Sequence, residues 1–120
     1  VTNLVNTTVP QDTYSVYTRA TFSIADVTQV TNLFLGADYD DGYVAWINGV
    51  EVFRSPEMPA SGDPLWNTNA GLHESSNGAP PEYRPVNDIS IAGIPALHNG
   101  VNVLAVGVWN SGAPTSSDMV

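Results

Sequence analysis

The sequence predicts an all-β domain: an antiparallel two-sheet β-sandwich formed as one module over residues 1–120. Three observations carry that reading. Tyr14–Ile24 alternates with the two-residue period of a half-buried strand. Asn48-Gly49 sits between two β-rich runs, and this dipeptide favours a two-residue type I′ hairpin turn because both residues tolerate positive φ. Ten glycines and nine prolines are spread along the chain, and no segment of helical period survives them.

The elements follow in order. Tyr14–Ile24 places Tyr14, Val16, Thr18, Ala20, Phe22 and Ile24 on one parity. Val30–Ala37 is a second apolar, β-rich run. A turn at Asp40-Asp41-Gly42 leads into a strand at Tyr43–Ile47, and Val50–Phe53 is the strand returning from the hairpin. Tyr43, Ala45 and Ile47 share one face, the predicted core. Val44 and Trp46 share the other, so Trp46 covers the outside of its sheet or lies beneath a loop. Ile89–Ile91 is a short strand, and Val101–Trp109 a long one after the turn His98-Asn99-Gly100. Between residues 55 and 87 the pattern fails. That stretch holds six prolines together with Trp66, His73 and Tyr83. A loop of this length is usually functional or ordered by its own contacts, and it leaves room for a short helix or an extra strand.

Composition narrows the function classes. Apolar content of 42% is ordinary for a globular domain, and 120 residues suffice for one real core. Twelve acidic residues face three arginines and no lysine, giving a net charge of −9. Such a surface repels nucleic acid and anionic membranes and favours divalent cations and neutral ligands. No apolar run approaches the roughly 18 residues of a membrane-spanning helix. Cysteine is absent, which removes disulfides and thiolate metal sites. A chain starting at Val1 without an initiator methionine reads as a processed or excised piece of a larger protein.

Two stretches carry a resemblance. The first runs from Asp40-Asp41-Gly42-Tyr43 through Asn48-Gly49-Val50-Glu51-Val52 to Arg54 and Glu57-Met58-Pro59. The second is Gly100-Val101-Asn102-Val103-Leu104-Ala105-Val106, with Trp109-Asn110 and Ser116-Ser117-Asp118-Met119. From about Tyr14 to the C-terminus the chain resembles the galactose-binding-like jelly-roll modules appended to bacterial secreted hydrolases and surface proteins. It departs from them at Trp109, a position often occupied by His in such modules. The resemblance implies a jelly roll of eight to ten strands, an extracellular or cell-surface setting, and carbohydrate binding. It also implies a further strand after the SSD ending. Fold alone does not fix function.

Candidate chemistry is set against its structural alternative. Asp38, Asp40 and Asp41 lie within four residues at a strand-to-turn junction, and the family topology would bring Asp118 near. Oxygen-rich acidic turns suit calcium, although this spacing is not that of an EF-hand. In the alternative, Asp41 caps the turn and Asp40 or Glu51 pairs with Arg54. Sugar rings stack on aromatic faces while polar side chains bond their hydroxyls. That makes Trp66, Trp109, Tyr83 and Trp46 candidate platforms, with Asn110, Arg54 and Asp41 as polar partners. The alternatives are sheet cover for Trp46 and an intramolecular acid partner (Asp41, Glu51 or Glu57) for Arg54. His73 and His98 are isolated and read as surface loop residues. No nucleophile elbow, Ser-His-Asp signature or phosphate loop is visible, and with twelve acids a carboxylate pair carries little information. The expected function is a non-catalytic carbohydrate-binding module targeting a polysaccharide or other glycan. The competing reading is a structural or adhesive module that packs against neighbouring domains of a parent protein without a free ligand.

Overall fold

A computed structural model of the chain describes residues 9–10, 12–77 and 80–112. Among these residues the strands are β1 (Ser15–Ile24), β2 (Phe34–Leu35), β3 (Gly42–Ile47), β4 (Val50–Arg54), β5 (Asn87–Asp88) and β6 (Gly100–Trp109). They form two antiparallel sheets, one of four strands in the order β1-β6-β3-β4 and one pairing β2 with β5. The fold is all-β, as the sequence predicts. The helical content of the described residues is one turn, α1 (Ser90–Gly93), with 3-10 turns at Val27–Gln29 and Ile94–Ala96. No helix among them is long and apolar enough to cross a membrane.

The hairpin forms where the sequence places it. Asn48 and Gly49 both have positive φ, 50° and 84°. Asn48 does more than tolerate that backbone. Its Nδ2 donates to Ala96 O (2.8 Å) and to Asn102 Oδ1 (2.7 Å), while its Oδ1 accepts Val103 N at 2.9 Å. Asn102 is fully buried, yet its amide is satisfied: Oδ1 also accepts His98 N, and Nδ2 donates to His98 O and Gly100 O. The turn is therefore bolted to β6 through two asparagine side chains. Past the turn, Ala45 pairs with Phe53 but Trp46 pairs with Glu51, so Val52 is an extra residue on β4.

Pairing registers give the large sheet two different faces. On the inner face the cross-strand rows are Tyr43–Val108–Val16, Ala45–Val106–Thr18 and Ile47–Leu104–Ala20. The β3 members of these rows are buried in the main core with Val52, Ile89 and Leu97. Leu35 of β2 and the preceding Leu33, together with Val27, Ala92 and Ala96, close that core from the other layer. On the outer face the rows are Gly42–Trp109–Ser15, Val44–Gly107–Tyr17 and Trp46–Ala105–Arg19. Small residues here leave room for indoles. A Cβ on Gly107 would lie 2.6 Å from Trp109 Cη2, so the indole occupies the space that this glycine leaves open.

Two expectations are corrected. Ile89–Ile91 is not a strand: pairing stops at Asp88, whose Oδ1 accepts Ser90 N at 2.9 Å, and Ser90 opens α1. This is a local side-chain-to-backbone hydrogen bond winning over β propensity. Val30–Ala37 narrows to Phe34–Leu35, because its partner β5 has only two residues.

Candidate functional site

The long loop lies across the outer face. Val44, Met58, Ala70 and Trp109 form a second buried cluster, with Trp46 packed against it. Trp109 is wholly buried; its Nε1 donates to Leu65 O at 2.7 Å, and the ring meets Tyr17 edge-on at 5.3 Å. It is core and presents no face to a ligand, contrary to its expected place on a binding rim. The neighbouring Asn110 is also buried. Its backbone N–H donates to Tyr14 O and its Nδ2 to Thr13 O, while its carbonyl accepts Ala70 N. Its Oδ1 is buried with no partner among the described residues. Trp46 is half-buried sheet cover, beneath the loop.

The acidic turn holds this loop in place. Asp41 Oδ1 accepts His73 N (3.1 Å) and Oδ2 accepts Ser111 N (2.7 Å). Asp40 Oδ2 accepts Ser75 N. Asp38 accepts Ser76 N, the Ser76 hydroxyl and Glu82 N. Burial pushes the Asp38 carboxyl up, but those donors outweigh it and hold the pKa below the usual carboxylate value. Carboxylates engaged with loop amides do not make the oxygen cage that calcium requires. Among the described residues no group of three or more such side chains could hold a metal ion. Asp118 lies outside the described residues. Among the described residues, Asp38, Asp40 and Asp41 are spent on loop amides rather than gathered around one point.

Arg54 is also committed. Its guanidinium bonds Glu51 twice at 2.8 Å and reaches Pro59 O and Gly62 O. The same guanidinium holds Glu51 below the usual carboxylate value. Of the structural alternatives, the Arg54–Glu51 pair is the one that forms.

Exposed aromatic surface is found elsewhere. Trp66 is 64% exposed, and Tyr14 meets it edge-on at 5.3 Å. The Trp66 carbonyl accepts Ser15 Oγ at 2.8 Å, which ties its backbone to β1. Tyr17 on β1 is 55% exposed and braced against Trp109. Tyr83 is 55% exposed on the loop and belongs to neither aromatic group.

A second feature was missed in the sequence: a pocket of about 560 Å³ where the loop meets the ends of β3 and β4. Its aromatic lining comprises Tyr39, Tyr43, Phe53 and His73. Tyr39 stacks on His73 with centroids 4.1 Å apart and planes within 6°. His73 Nδ1 donates to Tyr39 O at 3.0 Å, so this histidine is half-buried structure rather than loop surface. Tyr39 Oη donates to Glu57 Oε2 at 3.1 Å. Burial and the Glu57 charge raise both tyrosines, and Tyr43 is pushed up to about 12. Asp38, Glu57, Glu74 and Glu82 supply carboxylates to the same wall, with Arg54 and Arg84. The available signal was Tyr39-Asp40-Asp41-Gly42-Tyr43, two aromatics bracketing the acidic turn, but nothing local says that residues 73–87 return to it.

Comparison with protein-family models, with curated proteins and with solved structures finds no match for this chain.

Proposed function

We propose that the chain is a non-catalytic glycan-binding module of an extracellular protein, reading polysaccharide through the surface around Trp66. One observation carries this: a tryptophan 64% exposed, yet braced edge-on by Tyr14 and anchored through its own carbonyl to β1. An indole that stays in water while its backbone is tied and a T-shaped tyrosine neighbour restrains the ring is preorganised to stack on a sugar face, so little ordering cost falls on binding. Tyr17, two residues beyond Ser15 on the same face of β1, is a second exposed aromatic, at 55%. The net charge of −9 fits a neutral polysaccharide better than an acidic one. The jelly-roll likeness of the sequence supports the same reading.

Affinity electrophoresis across neutral and acidic polysaccharides tests it. Trp66→Ala should abolish retardation by the neutral glycan that binds, while the melting temperature stays within a few degrees of the parent. Unchanged retardation in Trp66→Ala, or none with any glycan, contradicts the proposal.

A second reading, docking against a neighbouring domain, draws on β1. Among the described residues this edge strand pairs only with β6, and residues 17–21 are exposed. Under that reading Trp66→Ala would weaken domain association and leave glycan retardation unaffected.

A further inference from the structure

We propose that the pocket framed by Tyr39, Tyr43 and Phe53 is a binding site for an organic ammonium group, carried by an amino sugar or an alkyl amine. It is separate from Trp66, which does not line it. About 560 Å³ lies within the range of small-ligand sites and accommodates a group far larger than a bare metal ion.

Tyr39, Tyr43 and Phe53 are continuous, with Tyr39–Tyr43 centroids 4.5 Å apart and Tyr43–Phe53 centroids 5.3 Å apart. Ring faces attract ammonium groups through their quadrupoles. Glu57 binds the Tyr39 hydroxyl and faces Tyr43 closely enough to raise its pKa, so a carboxylate stands beside the aromatic wall.

Four carboxylates (Asp38, Glu57, Glu74, Glu82) share the lining with two guanidiniums, and one of these, Arg54, is already matched by Glu51. The excess is negative, and a cation is the complementary ligand. The carboxylates are too dispersed to chelate a metal, since no set of three among the described residues could hold one. A spread-out organic cation can address several of them at once.

An unmet polar group points the same way. Tyr43 is 98% buried, lines the pocket, and its hydroxyl forms no hydrogen bond among the described residues. It is not one of the fully sealed atoms without a partner, and Tyr43 lines the pocket, which leaves a ligand there as the partner this hydroxyl lacks.

The test is calorimetric titration of the intact chain with glucosamine trimer, N-acetylglucosamine trimer and 1,5-diaminopentane. At least one of the two amines should bind, and the N-acetylated trimer, equal in ring number but uncharged, should bind at least tenfold more weakly. A tighter glucosamine trimer identifies the source as an amino sugar; a tighter diamine identifies an alkyl amine. Either result supports the site. Glu57→Gln retains an acceptor for Tyr39 and should weaken the amine at least fivefold. Tyr43→Phe keeps the aromatic wall and should weaken it twofold or more. Asp12→Asn, an exposed acid outside the pocket, should leave binding within twofold. Equal binding of the N-acetylated trimer, an Asp12→Asn loss as large as that of Glu57→Gln, or no binding of either amine overturns the proposal.

Discussion

The two faces of the large sheet are built from the same four strands but sealed by different physics. The inner face is closed by apolar area: Tyr43, Ala45 and Ile47 share one core cluster with Leu33, Leu35 and Ile89. The outer face is closed by a loop without regular structure, and single polar contacts fix that loop. Asp41 takes two backbone amides, Asp38 takes two more, and the Trp109 indole N–H takes the Leu65 carbonyl. Burial of the outer aromatics therefore depends on hydrogen bonds to a segment that has no ladder of its own. An apolar face tolerates conservative changes in shape, whereas a stapled loop is sensitive to the loss of one acceptor.

The largest effect that would sharpen this contrast is Trp109→Ala. Loss of a fully buried indole should cost about 3–5 kcal/mol in urea unfolding, as a core aromatic does. A surface platform would cost little, so a value below ~1 kcal/mol would break the account.

Asp41→Ala comes next. It orphans the His73 and Ser111 amides and should cost about 2–3 kcal/mol, with Asp41→Asn intermediate because one acceptor oxygen remains. Amide exchange should accelerate in residues 70–76 more than in β3 and β6, which distinguishes loop release from global loosening.

Gly107→Ala tests the space beneath the indole. The added methyl would meet Trp109 and Tyr17 and should cost about 1–3 kcal/mol, despite alanine being no worse a strand residue than glycine.

The smallest effect is on acid stability. Asp38 and Glu51 have folded pKa values below their unfolded ones, so the unfolded chain binds more protons at low pH. Their contribution is complete above about pH 4.5 and is lost as pH falls through their folded values. A melting temperature that drops in this window, and drops less in Asp38→Asn, is the expected result. Glu51 is exposed and Asp38 only half-buried, so the change should be modest.

What the sequence made legible divides along the same line. The inner face was readable because strand parity maps directly onto burial: Tyr43, Ala45 and Ile47 are core, and Asn48-Gly49 turns the chain between β3 and β4. The outer face was not, because what covers a strand's far side depends on where a loop returns, and periodicity carries no information about that. Trp109 is the instructive case. At a strand end before a Gly-Pro-rich turn it resembled a rim aromatic, but Gly107 two residues earlier on the same face was the available sign that the ring folds back onto its own strand. The aspartates show the converse. Clustered acids in a turn suggest a cation, and here they meet backbone amides from the loop instead.

The closure of the outer face by the loop is tested most directly by hydrogen exchange at the three indole N–H groups. Trp109 Nε1–H should exchange only as fast as the chain unfolds globally, because it is buried and bonded to Leu65 O. Trp66, which is 64% exposed, supplies the fast internal reference. Trp109 exchanging as quickly as Trp66 would mean that the loop does not cover this face.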